Sequence, residues 1–259
     1  MNLLLTNDDG FDSVGIKVLA NRLSKEHNVF IVAPSSNRSA VSHCITMFHP
    51  LTIKKEGENV WSCSGYPSDC VVTALKSSLL DKKIDAVISG INIGSNLGTD
   101  IVYSGTCAAA RQGVFYGVPS IALSLEPTNW TLDDIKNKRA DKLKFDALAD
   151  FVAKNLEKLI FLSKTNHPRI FVNVNAASLD VYKGVKISTE LSVREYKDSV
   201  KLEEDSEFSY KSTFCTEGTE TKKTCKNDFG ICQDEFISIS QVFADPMCAD
   251  LVDCVEFSL

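Results

Sequence analysis

The chain has 259 residues and 44% apolar content, enough for one large α/β domain and too apolar for a disordered chain. A net charge of −6 and a pI near 5.3 argue against a non-specific nucleic-acid binder, which should carry excess Lys and Arg. They leave a phosphate ester open as substrate, because a bound cation supplies local positive charge whatever the global sign.

No apolar run approaches the roughly 20 residues of a membrane span. The start, MNLLLTNDD, lacks a basic region and meets acid too early for a signal peptide. A soluble, cytoplasmic protein with no membrane or nucleic-acid partner is expected. The nine cysteines are odd in number, scattered, and contain no CxxC pair, so zinc or a disulfide frame is not indicated. Cys215, Cys225 and Cys232 are close enough in sequence to form a weak metal candidate.

In chain order, Leu3–Thr6 reads as a buried strand stopped by Asn7-Asp8-Asp9-Gly10. Two adjacent carboxylates at the carboxyl end of a buried strand suit a divalent cation, which lets both ionise. An ordinary polar turn is the competing reading. Val14–Leu23 has helical spacing, and Asn28–Ala33 is a second strand ended by Pro34 and the loop SSNRSAVSH. Trp61–Ser64 is a short extended piece. Ser68-Asp69 caps a helix running through Val72, Leu75 and Leu79 to Leu80. Ile84–Ser89 is a third buried strand, followed by GINIGSNLGTD; YSGT then leads into the helical CAAARQGVFYG, and Pro119–Leu125 is a fourth strand. Strands alternating with helices imply a parallel sheet with right-handed crossovers, a Rossmann-like core.

From Glu126 to Asp141 the chain is polar and reads as a loop. Phe145–Leu162 is an amphipathic helix and Arg169–Asn175 a fifth strand. Beyond it, pieces such as VKIST and EFISIS alternate in the manner of half-exposed antiparallel hairpins. The expected organisation is a catalytic core over 1–183 and a β-rich arm over 184–259, packed on the core or on another subunit. The fold class is α/β, with a mostly parallel sheet and helices on both faces.

Taken together, LLLTNDDG, NRSAVSHCIT, SGYPSDCV, SGINIGSNLGTDIVYSGT and EFISIS resemble the survival protein SurE family. Its members are metal-dependent 5′/3′-nucleotidases, also described as acid phosphatases and exopolyphosphatases. The resemblance runs in order over residues 1 to about 125. It implies that Asp8, Asp9, Ser39 and Asn92 hold one divalent cation per subunit. Oxygen ligands of these types suit Mg²⁺, Mn²⁺ or Ca²⁺. It also implies that Asn96, Ser104, Gly105 and Thr106 contact phosphate, where YSGT would present N–H groups at a helix start.

By this reading the substrate is a nucleoside 5′- or 3′-monophosphate, with short polyphosphate in addition. Asp8, Asp9 and Asn96 carry the hydrolysis, either aspartate serving as proton acceptor or, in the rival chemistry, as nucleophile. Members assemble as dimers or tetramers through exchanged C-terminal segments. Three departures stand out: Ala40 and Ser42 replace loop glycines, Gln112 replaces a glutamate, and Asn227-Asp228 with Glu235–Gln241 only partly follow the family's TD…GYVSITPL. His43 reads as a loop residue in preference to a catalytic acid, and His27, His49 and His167 as surface or structural. A non-catalytic nucleotide-binding module on the same core is the alternative. A haloacid-dehalogenase-like phosphatase would need Asp-x-Asp after the first strand, which NDDG does not supply.

Overall fold

The computed structural model describes residues 1–128, 140–164 and 169–246. His167, Cys248, Cys254 and most of the polar 126–141 stretch lie outside the described residues. The chain opens with β1 (Asn2–Thr6), α1 (Val14–Leu23) and β2 (Asn28–Pro34), then a hairpin of β3 (Ile53–Gly57) and β4 (Val60–Cys63). It continues through α2 (Pro67–Lys76), β5 (Ala86–Ile93), the single turn α3 (Asp100–Tyr103), α4 (Gly105–Phe115) and β6 (Ser120–Glu126). Next come α5 (Phe145–Leu162), β7 (Ile170–Ala177) and β8 (Val185–Ile187). A long hairpin of β9 (Arg194–Ser206) and β10 (Ser209–Thr221), α6 (Asp228–Gln233) and β11 (Ile237–Phe243) follow.

Nine strands form one sheet in the order β3-β4-β2-β1-β5-β6-β7-β11-β8, parallel from β4 to β7. Leu3, Leu4 and Leu5 are all fully buried. Leu3 and Leu5 face α1 and α5, whereas Leu4 faces α2 and α4. Burial on both faces explains why β1 is a continuous apolar run, with each leucine worth ~2 kcal/mol.

Three expectations change. The second helix stops at Lys76 instead of reaching Leu80, because Ser77 turns extended and its hydroxyl donates to the Thr73 carbonyl at 2.6 Å. Its start is held by Asp69 from inside the first turn, where Oδ2 accepts from the Tyr66 N–H at 2.9 Å and the Thr46 hydroxyl at 2.8 Å. VKIST and EFISIS do not form a half-exposed antiparallel hairpin. β8 pairs parallel with β11, and β11 pairs antiparallel with β7 inside the main sheet. Ile237 and Ile239 face the core while Ser238 and Ser240 are buried on the other face, so the alternation marks two covered faces. The antiparallel hairpin lies between these strands, at β9 and β10.

Buried Asp228 ties the two ends of that hairpin to the core. Its carboxylate accepts from the N–H groups of Gly98 at 2.7 Å, Ser192 at 2.8 Å and Phe229 at 2.9 Å. No helix among the described residues is long and apolar enough to cross a membrane.

Candidate active site

The sheet order reverses at β1, which has β2 on one side and β5 on the other. Loops leaving the carboxyl ends of strands there diverge and open a crevice. A cavity of ≈ 580 Å³ occupies this place. Asp8 follows β1, Ser39 lies in the loop after β2, Asn92 sits near the end of β5, and Asn96 and Ser104 follow it; all five line the cavity. Asp9, Gly105 and Thr106 are not part of the lining but adjoin it.

Asp8 is almost completely buried, and the Thr106 hydroxyl donates to its Oδ1 at 2.6 Å. Its backbone carbonyl accepts from the Arg38 N–H at 2.6 Å, which fastens the Ser39 loop to the β1 turn. Asp9 Oδ2 accepts from the Ile93 N–H at 3.1 Å, and Oδ1 from Asn37 Nδ2 at 3.3 Å. Asn37 also accepts from the exposed Ser39 hydroxyl at 3.0 Å. Asn92 is turned into the cavity by a register shift between β5 and β6 lying between Ser89 and Asn92. Its Nδ2 donates to the Gly94 carbonyl at 2.8 Å, leaving Oδ1 as the atom for a ligand. The Ser39 loop carries Ala40 and Ser42 at φ 56° and 52°, so it adopts left-handed backbone without the family's glycines, at about 1–2 kcal/mol each.

Ser104 is the N-cap of α4: its Oγ accepts from the Cys107 N–H at 2.9 Å, and the hydroxyl hydrogen stays available to an acceptor in the cavity. Asn96 is fixed from all sides. Its N–H donates to Asn175 Oδ1 at 2.8 Å, and its carbonyl accepts from Asn173 and Asn175 Nδ2 at 2.8 and 3.1 Å. Its own Nδ2 donates to Ser124 Oγ at 2.7 Å, with a second hydrogen to offer. Asn173 and Asn175 are site-building residues that sequence reasoning missed. The signal was there in RIFVNVN, where two asparagines two apart share one face of a buried strand.

The donor set that adjoins the cavity (two carboxylates, an amide oxygen and a hydroxyl) is made of hard oxygens and fits a divalent cation. Among the described residues no three His, Cys, Asp or Glu side chains gather to hold a metal. Cys215, Cys225 and Cys232 therefore do not form the weak candidate site, and Cys232 Sγ instead lies 3.4 Å from the Asn175 carbonyl.

His43 is outside the cavity lining. It bonds Gln112 Oε1 through Nε2 at 2.8 Å and stacks on Phe115 with ring centroids 5.7 Å apart. Burial holds its pKa below the ordinary histidine value, with the Gln112 bond opposing and Arg111 reinforcing the shift. The unfolded chain thus binds the proton first as pH falls, and stability is lost below about pH 6.5. Thermal melts of wild type and His43→Gln at pH 7.5 and 5.5 should show a difference that changes between the two pH values.

A family model described as Survival protein SurE matches residues 3–198. The 5′-nucleotidase SurE of Treponema pallidum (strain Nichols) is 45% identical over 185 residues, covering 70% of this chain and 93% of that protein. The 5′-nucleotidase SurE of Clostridium botulinum (strain Alaska E43 / Type E3) is 41% identical over 217 residues, covering 82% of each. The crystal structure of the SurE protein from Aquifex aeolicus has a TM-score of 0.77 at 30% identity, covering 95% of both chains. With the family match spanning every loop that builds the crevice, the chain belongs to the survival protein SurE family.

Proposed function

We propose that this chain is a divalent-metal-dependent nucleotidase that hydrolyses nucleoside 5′- and 3′-monophosphates to nucleoside and phosphate. Membership of the family implies dependence on a divalent metal. The observation that carries the reading is the convergence of Asp8, Ser39, Asn92, Asn96 and Ser104 on one cavity at the switch point of the sheet.

Asp8, Asp9, Ser39 and Asn92 would hold the cation, with Mg²⁺, Mn²⁺ and Ca²⁺ as the candidates. Bound there, a divalent ion supplies Lewis-acid polarisation of a phosphoryl oxygen and a more acidic water. The chain's own groups do the rest. Ser104 and Asn96 donate to the equatorial phosphoryl oxygens, where negative charge grows in the transition state. The start of α4 adds its positive dipole end. Asp8 accepts the proton of the attacking water, because its side chain lines the cavity whereas Asp9 stands outside that lining. Thr106 keeps the Asp8 carboxylate from rotating away.

Residues 1–183 supply the catalytic core, and β8 and β11 from beyond residue 183 complete its sheet. The 184–259 arm is inferred to join copies into a homodimer or homotetramer, in keeping with the exposed Val200, Leu202, Phe208 and Tyr210 of its hairpin. Free thiols at all seven described cysteines fit a reducing cytoplasm.

Phosphate release from a panel of nucleoside monophosphates, with each of the three cations, tests the reading. Release should require the metal and should fall by about 1,000-fold or more in Asp9→Asn, whose circular dichroism stays native. A wild-type protein that binds nucleotides but releases no phosphate with any cation would establish the non-catalytic module instead.

A further inference from the structure

Ser39 sits in a stretch between β2 and β3 that is neither helix nor strand. Beside it, Ala40 and Ser42 both hold left-handed backbone, at φ 56° and 52°. Residues other than glycine stay in that region only where their surroundings fix them from more than one side. In front of Ser39 the fixtures come from Arg38. Its N–H donates to the Asp8 carbonyl at 2.6 Å and its Nη2 to the Ser64 carbonyl at 2.9 Å. Its guanidinium lies 5.3 Å from the centre of the Tyr66 ring.

Behind Ser39 the fixtures lead to α3 and α4. The Ser42 N–H donates to the Tyr103 carbonyl at 2.9 Å. His43 then bonds Gln112 Oε1 at 2.8 Å, and an amide oxygen only accepts, so Nε2 carries the imidazole hydrogen. The ring lies nearly parallel to Phe115, at 10° with centroids 5.7 Å apart. Both partners belong to α4. Gln112 is buried about two turns beyond Ser104, and Phe115 is the last residue of the helix. The helix packs against α2, β5 and β6 and is buried along most of its length, which makes it a rigid post. Because Ser104 caps the other end of that helix, a loop held on Gln112 and Phe115 is registered to the phosphate-facing turn as well. His43 is absent from the cavity lining, so whatever it does at Ser39 passes through the loop.

We propose that His43 is a positioning residue: seated on Gln112 and Phe115, it clips the Ser39 loop to α4 and so holds the Ser39 hydroxyl in place for the cation. The inference rests on the cation site proposed above, and two readouts separate it from that reading. Mn²⁺ affinity is measured by calorimetry on the substrate-free full chain, well below its melting midpoint. Tryptic cleavage after Arg38, followed by mass spectrometry without added metal, reports how freely the loop opens. His43→Ala should weaken Mn²⁺ binding by about tenfold, the order of one hydrogen bond and one ring contact, and should speed that cleavage by a similar factor. Gln112→Met removes the acceptor from the helix side and should weaken Mn²⁺ in the same direction. Combined with His43→Ala it should add little. Gln112→Glu keeps an acceptor in that place and should retain the wild-type affinity. A merely structural His43 would lower the melting temperature and leave both readouts at wild-type values. Unchanged Mn²⁺ affinity in His43→Ala or Gln112→Met overturns the clip, as do effects of the two that add in full or a Gln112→Glu as weak as Gln112→Met. A wild-type chain that binds no Mn²⁺ defeats the cation site alone; faster cleavage after Arg38 in His43→Ala then still supports the clip, and equal cleavage overturns it.

Discussion

Gly105→Ala is expected to lower kcat/KM for nucleoside monophosphates by roughly 100-fold, the order of loss that a ~1 Å misplacement of a positioned group brings. A Cβ on residue 105 would stand 2.9 Å from Asp8 Cβ, 3.1 Å from Asp8 Oδ2 and 3.1 Å from Pro67 Cγ. None of these atoms is a loose chain end. Asp8 is held by Thr106, and Pro67 is the first residue of α2. Either the Asp8 carboxylate or the first turn of α4 must shift, and the two face the same phosphate in the proposed mechanism. The stability loss should stay within about 1–3 kcal/mol, so the variant is folded when assayed. Steady-state kinetics beside a thermal melt reads both numbers. A variant with wild-type kcat/KM would remove the α4 turn from the reacting centre.

Gly15→Ala should be the most destabilising of the single changes considered. Helix propensity alone predicts the opposite sign, since alanine is favoured over an interior glycine by about 1 kcal/mol. Here the added Cβ would lie 2.0 Å from the Ile91 carbonyl oxygen and 3.0 Å from its carbon, both backbone atoms of β5. A strand in the middle of the sheet cannot yield as a side-chain tip does. The clash therefore outweighs propensity, and a loss of at least about 3 kcal/mol is expected. For a chain of this size that is on the order of 10 °C in melting temperature. Asn92 follows Ile91 directly, so activity should fall as well, in assays run well below the new midpoint. A melting temperature equal to or above wild type would show that α1 can withdraw from β5 freely.

Much of this architecture was legible in the sequence. The parallel strands announced themselves as short apolar runs stopped by Gly, Pro, Asn or Asp, because strands buried on both faces need no alternation. The carboxylate pair Asp8-Asp9 and the SGINIGSNLGTDIVYSGT block were visible because their residue types make little sense as core. What escaped was set by tertiary partners. Asn173 and Asn175 looked like strand residues until β7 brought them against the Asn96 backbone. EFISIS read as half exposed because the cover over its serine face comes from elsewhere in the chain. Ala40 and Ser42 could not signal left-handed backbone, since neither residue favours it. The helix at α2 was overextended because Leu79 and Leu80 continue its apolar spacing after Ser77 has already ended its hydrogen bonding.

The Asp228 clasp has an evolutionary consequence. By pinning Gly98 and Ser192 from one carboxylate, it anchors the base of the ribbon between residues 194 and 221 without calling on the side chains further out along it. The ribbon can then lengthen, shorten or change its face while the chemistry beneath stays undisturbed, much as an interchangeable tool head fits a fixed handle. Divergence in substrate taste among descendants of this chain should accumulate there, at little risk to turnover.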